Sequence, residues 1–168
     1  MSNKRKYTKI YGVAALLLLF CLPFFTVSIY GIDGVSMETT IYDGDYVLVN
    51  KLKYVRNDLR YTNIIAIKLE NGEKIVKRVV GMPGDTLKME NGVLYRNGNV
   101  VNEAYIEHYT DEQKSLLNFN EYHITSGYYF VMGDNRLNSV DSRNVSIGLI
   151  PKEDIIGRVI TQYTLNPN

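Results

Sequence analysis

The most apolar stretch of the chain lies near its N-terminus. No charged residue occurs between Ile10 and Ile32, and the segment 10–30 consists mainly of Leu, Ala, Val, Phe and Ile. About 20 such residues form a helix long enough to cross a hydrocarbon core of about 30 Å. The basic, acid-free flank at 1–9 predicts that this end stays in the cytoplasm. We therefore expect a transmembrane helix over 10–30 and an extracytoplasmic domain over 31–168.

A cleaved secretory signal is the alternative interpretation of the same stretch. The apolar run is longer than the roughly 7–15 residues of a usual signal core. No Ala-x-Ala cleavage site follows it, although the Thr-Val-Ser sequence at 26–28 is a weak candidate. The length favours a retained anchor over a signal peptide.

After this stretch the chain becomes a series of short β patterns. Runs rich in Val, Ile and Tyr, separated by Gly- and Asn-containing turns, are typical of strands. They predict strands at 46–49, 64–69, 73–80, 86–89, 93–96, 99–101, 128–132 and 154–162. Asn97-Gly98 is a strong hairpin signal. The polar segment 103–126 is expected to be a surface loop, within a small insertion or second subdomain at 86–126. The fold class is mainly β, a coiled antiparallel or mixed sheet resembling a barrel, with one N-terminal transmembrane helix.

Composition narrows the functional classes. The chain has 168 residues and a net charge of +1, so no bulk charge indicates nucleic acid as a partner. Cys21 is the only cysteine, so no intrachain disulfide is possible. His108 and His123 have no partner at metal-ligand spacing, and no Ser-His-Asp pattern is present. We expect no metal and no cofactor.

Lys77 is the most unusual residue of the predicted strands. Alternation places it on the same strand face as Ile75 and Val79. Desolvation by such neighbours lowers the pKa of a lysine and can make it a base near neutral pH. The alternative is that the side chain extends to water from the rim of the sheet. This strand alone favours the alternative.

Two further stretches contain polar and charged residues that folding alone does not readily explain. Ser36 lies on a turn shortly after the apolar segment, and the loop 133–143 combines four charged residues with Ser139 and Ser142. A serine nucleophile needs a base. Because no histidine is suitably placed, a buried lysine is the known substitute.

Taken in order, these stretches resemble the motifs of type I signal peptidases of the compact Gram-positive form. The matching segments are Ser-Met at 36–37, Gly-Asp at 44–45, Lys-Arg-Val-Val-Gly-Met-Pro-Gly-Asp at 77–85, and Gly-Asp-Asn-Arg-x-Asn-Ser-x-Asp-Ser-Arg at 133–143. The resemblance covers 1–90 and 127–160. It implies a membrane-anchored serine endopeptidase that cleaves signal peptides from secreted preproteins, with preproteins and the lipid bilayer as its partners.

The resemblance also implies residue roles. Ser36 matches the nucleophile, Lys77 the general base, and Ser139 the hydroxyl that orients the lysine. Gly34 falls in the oxyanion region, where its backbone or a water would contribute. Two supporting ion pairs are expected, Arg78 with Asp134 and Asp141 with Arg143. Shallow pockets for small side chains at substrate positions −1 and −3 are expected to be lined by Ile32, Ile41, Ile75 and Val76.

One residue departs from the family pattern. Thr39 occupies the fourth position of the family's usual Ser-Met-x-Pro-Thr, where relatives have proline, and the loss of that proline is expected to loosen the turn. A non-proteolytic chaperone or assembly factor for surface proteins is therefore the alternative function. A self-cleaving repressor relative would need a DNA-binding domain, and a tethered β domain that only binds partners would leave the loop 133–143 unexplained.

Overall fold

A computed structural model of the chain describes residues 7, 11–12, 26–52 and 58–164. Eleven strands are present in these parts: β1 Val27–Gly31, β2 Tyr46–Asn50, β3 Ile64–Lys68, β4 Lys74–Gly81, β5 Thr86–Glu90, β6 Val93–Arg96, β7 Asn99–Val100, β8 Phe119–His123, β9 Tyr128–Met132, β10 Ile150–Pro151 and β11 Ile155–Tyr163. One short helix, α1 Asp111–Leu116, precedes β8, and a single 3-10 turn, Lys152–Asp154, precedes β11. The prediction of a mainly β fold is confirmed.

The larger sheet has seven strands in the order β1-β2-β11-β3-β4-β9-β10. All of its neighbouring strands are antiparallel. The register shifts within the pairs β11–β2, β11–β3 and β4–β9. Such irregularities bend a strand and increase its twist, and the sheet is a curled half-barrel. Predicted strands in both sheets agree with the observed bounds to within one residue.

Strand β4 places alternate side chains on two different apolar clusters. Val79 belongs to a cluster with Ile65 and Ile67, and Ile75 packs against its margin. Val76 packs instead against a second cluster that includes Met37 and Ile41. The period-two alternation read from the sequence is therefore real.

The smaller sheet has four strands in the order β7-β6-β5-β8. It is joined to the larger sheet by a shared core, in which Leu87 and Leu94 of the small sheet contact the cluster that contains Phe130 and Met132 of β9. The predicted insertion at 86–126 thus packs directly against the main sheet.

The segment 103–126 contains more structure than the sequence predicted. Instead of a loop throughout, it forms α1 and β8. Thr110 caps the helix, because its side chain accepts a hydrogen bond from Gln113 N–H while the Gln113 side chain bonds back to the Thr110 N–H. A six-residue helix without buried residues has no apolar periodicity to reveal it, but the Thr-x-x-Gln pattern was a usable signal.

The predicted membrane helix at 10–30 extends too far toward the C-terminus. Residues 27–30 belong to β1, which pairs with β2 from Val27 opposite Asn50 to Gly31 opposite Tyr46. β-Branched and aromatic residues at this end suit a strand as well as a membrane helix. Residues 13–25 lie outside the described residues. Within the described parts, no helix is long and apolar enough to cross a bilayer.

Candidate active site

Ser36 lies in the turn that follows β1. Gly34 opens this turn with a φ of +112°, a backbone conformation that glycine adopts without steric cost. The Gly34 N–H donates to Asp43 Oδ1 at 2.8 Å, and Asn135 N–H donates to the Ser36 carbonyl at 3.2 Å. The turn is therefore fixed at both ends, to the 43–45 turn and to the loop 133–143.

Lys77 reaches the same point from the middle of β4. Its Nζ donates to Ser36 Oγ at 2.8 Å and to the Val76 carbonyl at 3.1 Å. The residue is only 4% exposed. The structure thus brings together two side chains that are 41 positions apart in the sequence.

Burial lowers the pKa of Lys77 from its ordinary value of 10.5. The carboxylates of Asp141, Glu73 and Asp134 act in the opposite direction, but the loss of hydration dominates. The alternative prediction, in which the ammonium extends to water, is wrong. A lysine in this setting is more readily neutral at a given pH than one on the surface.

Ser139 lies beside this pair without the hydrogen bond that the sequence analysis predicted. Its Oγ is buried and makes no hydrogen bond to Lys77 Nζ, although the hydroxyl is close enough to Asp141 to help lower the pKa of that carboxyl. It packs against Gly133, where an added Cβ would come within 2.3 Å of both Ser139 Oγ and the Ser36 carbonyl oxygen. Gly133 is therefore needed for the close approach of the loop 133–143 to the Ser36 turn.

Both predicted ion pairs are present; the Arg78–Asp134 pair is buried, whereas in the second pair Asp141 is buried and Arg143 is partly exposed. Arg78 Nε donates to Asp134 Oδ1 at 2.7 Å, and Asp134 also accepts a hydrogen bond from the Thr40 hydroxyl. Arg143 Nε donates to Asp141 Oδ1 at 2.8 Å. Although burial alone would raise the pKa of Asp141, the hydrogen bond and charge of Arg143 lower it. Asp141 also accepts the Gly133 N–H, so it fixes the backbone next to Ser139.

A third ion pair, which is buried, was not predicted from the sequence. Arg136 Nη1 donates to Glu103 Oε2 at 2.8 Å, and both side chains are at most 5% exposed. Burial by itself would lower the pKa of Arg136, but the hydrogen bond and charge of Glu103 raise it. The sequence contained a sign of this pair. Three arginines and two aspartates were expected in this region, and the two predicted ion pairs left Arg136 without an acidic partner.

The turn after Ser36 is also held by contacts that the sequence analysis did not foresee. The Thr39 hydroxyl donates to the Tyr105 carbonyl at 2.7 Å. The Tyr105 ring lies over the Arg78 guanidinium, 4.1 Å from the ring centre, and its hydroxyl donates to Glu103. Thr39 thus provides a tether in place of the restraint expected from proline.

A groove of about 360 Å³ runs along this pair. Ile32, Ile75 and Val76 line it, together with Ser36 and Lys77. Ile41 does not, contrary to the prediction, because it is fully buried beneath the turn with Met37. No group of three or more metal-ligating side chains occurs in the described parts of the chain.

Comparisons with known proteins agree on one family. The family model described as signal peptidase, peptidase S26, matches residues 4–164. Signal peptidase I U of Bacillus subtilis is 41% identical over 150 residues, covering 86% of this chain and 79% of that protein. Signal peptidase IB of Staphylococcus aureus is 36% identical over 162 residues, covering 89% and 84%. The crystal structure of a signal peptidase I from Enterococcus faecalis is 26% identical, with a TM-score of 0.50 over 62% of this chain and 97% of that one.

Proposed function

The chain belongs to the signal peptidase family, peptidase S26, and is an enzyme of the type I signal peptidase class; from this premise we propose that it cleaves signal peptides from preproteins with Ser36 as nucleophile and Lys77 as general base. The observation that carries the proposal is the 2.8 Å contact between Lys77 Nζ and Ser36 Oγ. Burial supports it further, because a lysine acts as a base only in its neutral form.

The proposed reaction proceeds in two stages. Neutral Lys77 takes the Ser36 hydroxyl proton while Oγ attacks the scissile carbonyl carbon, giving a tetrahedral intermediate. When the C–N bond breaks, Lys77 returns the proton to the leaving amine, and an ester to Ser36 remains. Water then attacks the ester carbonyl while Lys77 again accepts a proton; the C–Oγ bond breaks, Lys77 returns the proton to Ser36 Oγ, and the cleaved signal peptide leaves with a new carboxyl end.

The negative oxygen of the intermediate needs donors close to Ser36. Gly34 N–H is already bonded to Asp43, so the proposed contribution of Gly34 is the turn conformation. The Ser36 N–H is the donor we assign to the oxyanion. Ser139, packed against Gly133, is proposed to orient the Lys77 amine once substrate is bound.

Strand β4 offers an unpaired edge to which an extended substrate could bind. β3 pairs with β4 from Lys74 to Arg78, whereas β9 pairs with β4 only from Arg78 onward. No described strand therefore pairs with the second edge of residues 74–77, and these residues line the groove. We propose that an extended preprotein segment binds along it through main-chain hydrogen bonds, with small −1 and −3 side chains near Ile32 and Val76.

The proposed location is the outer face of a membrane. An uncharged run follows a basic flank, which supports a cytoplasmic segment 1–9 and an anchor that ends before Val27. The catalytic domain begins with β1 immediately afterwards, so Ser36 would lie close to the bilayer. The chaperone alternative has no support, since the named relatives are peptidases.

The test is cleavage of a preprotein by the purified full-length protein in detergent. Ser36→Ala and Lys77→Ala are each expected to lower the cleavage rate by roughly a thousandfold or more, with an unchanged circular dichroism spectrum. Ser115→Ala and Lys68→Ala, at exposed positions, are the matched controls and should retain full activity. Cleavage near the wild-type rate by either active-site variant would rule out the proposed pair.

A further inference from the structure

A second groove adjoins the one that holds Ser36 and Lys77. It has a volume of about 760 Å³ and shares three lining residues with the first groove, namely Glu73, Ile75 and Val140. Its walls come from the turn between β3 and β4, from Tyr128, and from the segment 146–151. Val140 is 58% exposed and Tyr128 39%. Apolar side chains thus remain accessible next to the proposed catalytic pair.

The two grooves follow the same open strand segment and differ in the strand faces that line them: residues of both faces line the first groove, whereas the second is lined only from the face of Glu73 and Ile75. Val76, which lines only the first groove, packs toward the cluster of Met37 and Ile41. Ile75, which lines both, packs toward the cluster of Ile65 and Val79. Because successive side chains of a strand point to opposite faces, an extended peptide beside residues 74–77 must direct alternate side chains into each groove.

The proposed function fixes which substrate residues these are. If −1 and −3 point to the Val76 face, then −2 and −4 point to the Ile75 face. The apolar residues proposed to contact −1 and −3 lie between the Ser36–Lys77 pair and Glu73. The part of the substrate that precedes the cleavage site therefore runs toward Glu73. At about 3.3 Å per residue, −4 lies about 10 Å from −1, opposite the span from Ile75 to Glu73.

We propose that the second groove is a specificity subsite for the −4 side chain of the preprotein, with −2 at its rim. The inference rests on the proposed function, because it uses the same bound strand. It adds a substrate preference that the Ser36–Lys77 pair alone does not supply.

The lining defines the chemical class of the side chain. Leu69, Ile147 and Leu149 provide apolar contact area, and the carboxylates of Glu70, Glu73 and Asp154 stand among them. Among the residues that the structure describes, none that lines this groove is basic. An apolar side chain is therefore favoured at −4, a basic one is accepted, and an acidic one is disfavoured by like charge.

The first test changes only the substrate. Wild-type full-length enzyme in detergent is given four peptides of one signal-peptide sequence, with Leu, Ala, Lys or Glu at −4. We expect kcat/KM to be about tenfold higher for Leu than for Glu, with Ala between them, which is the usual size of a single-pocket preference. Equal kcat/KM for all four peptides would overturn the subsite.

The second test changes the groove. Leu149→Ala is expected to lower kcat/KM for the Leu peptide severalfold and leave the Ala peptide unchanged. The double variant Glu70→Gln with Asp154→Asn should reduce the penalty for the Glu peptide, whereas Glu90→Gln on the small sheet should not. If Leu149→Ala slowed both peptides equally, the groove would not contact −4.

The peptide with Ala at −4 distinguishes the proposed function from the proposed subsite. If the wild-type enzyme cleaves this peptide and Ser36→Ala does not, the proposed function is supported, whether or not the rate depends on the −4 side chain. Cleavage of the Ala peptide with no dependence on −4 would remove only the subsite. Failure to cleave any of the peptides would count against the proposed function and the subsite together.

Discussion

At the scale of single residues, Lys77 combines two opposing influences. The sequence predicted its apolar neighbours correctly, since Ile75 and Val79 share its strand face. It did not predict the influence of the carboxylates of Asp141, Glu73 and Asp134, which favour the charged form of the amine. Burial outweighs them, so the pKa of Lys77 is lowered. The carboxylates nevertheless provide a way to adjust it.

Glu73→Gln should move the pH profile of the enzyme. The carboxylate of Glu73 raises the pKa of Lys77, so its removal lowers that pKa further. The neutral amine is the proposed active form, and it would then persist to lower pH. We expect the acid limb of kcat/KM against pH to shift to lower pH, most clearly at low ionic strength, because Glu73 is exposed.

The matched control for this shift is Glu121→Gln on β8, an equally charged and exposed residue of the other sheet. Its profile should coincide with that of the wild type. A limb that moves to higher pH in Glu73→Gln, or stays in place at low salt, would contradict the assignment of the acid limb to Lys77.

At the scale of elements, the turn after Ser36 is held by side chains rather than by its own sequence. The Thr39 hydroxyl bonds the Tyr105 carbonyl, and the Thr40 hydroxyl bonds Asp134. The expectation of a loosened turn considered only the missing proline. The compensating contact lies 66 positions away, which local sequence patterns do not reveal. Eight strands, in contrast, follow from local alternation and were predicted to within a residue, whereas β1 was predicted as part of the membrane helix and β8 as part of a loop.

Thr39→Val tests this tether with almost no change in side-chain shape. One neutral hydrogen bond contributes about 1 kcal/mol, which corresponds to roughly a fivefold fall in kcat if the bond positions the nucleophile turn. KM should change less than twofold, because Thr39 does not line the substrate groove. Thr39→Ser keeps the hydroxyl and should retain most of the activity.

Thr125→Val, at an exposed position before β9, is the control for replacing a threonine by valine. It should leave kcat unchanged. The tether has no positioning role if Thr39→Val retains the wild-type kcat, or if Thr39→Ser loses as much activity as Thr39→Val.

At the scale of the whole molecule, the site depends on contacts between distant parts of the chain. Motif order in the sequence predicted which residues gather, including Ser36, Lys77 and both supporting ion pairs. It did not predict that the segment 103–109 packs against Thr39, Arg78 and Arg136, because these contacts join parts of the chain that are far apart in sequence. Ile41 was misplaced for a related reason, since nearness in sequence to Ser36 does not decide which side chains face a groove.

The buried Glu103–Arg136 pair fixes the segment 103–109 to the loop 133–143. Arg136 is 2% exposed, and its Nε also donates to the Gly133 carbonyl at the start of the loop 133–143. Tyr109 accepts the Arg136 N–H from the same segment as Glu103. Removing Glu103 would leave a buried guanidinium without its carboxylate, which is far more costly than losing a surface pair.

Glu103→Ala is therefore expected to lower the free energy of unfolding by about 3–5 kcal/mol, and Glu103→Gln by less, because the amide still accepts one hydrogen bond. The measurement is chemical unfolding of the full chain in detergent, followed by circular dichroism, since the protein has no tryptophan. Glu90→Ala is the matched control: its partner Lys88 is 43% exposed, so the change should stay within about 1 kcal/mol. Equal effects of Glu103→Ala and Glu90→Ala would mean that the buried Glu103–Arg136 pair contributes no more to stability than a surface pair, and that it does not hold the segment 103–109 against the loop 133–143.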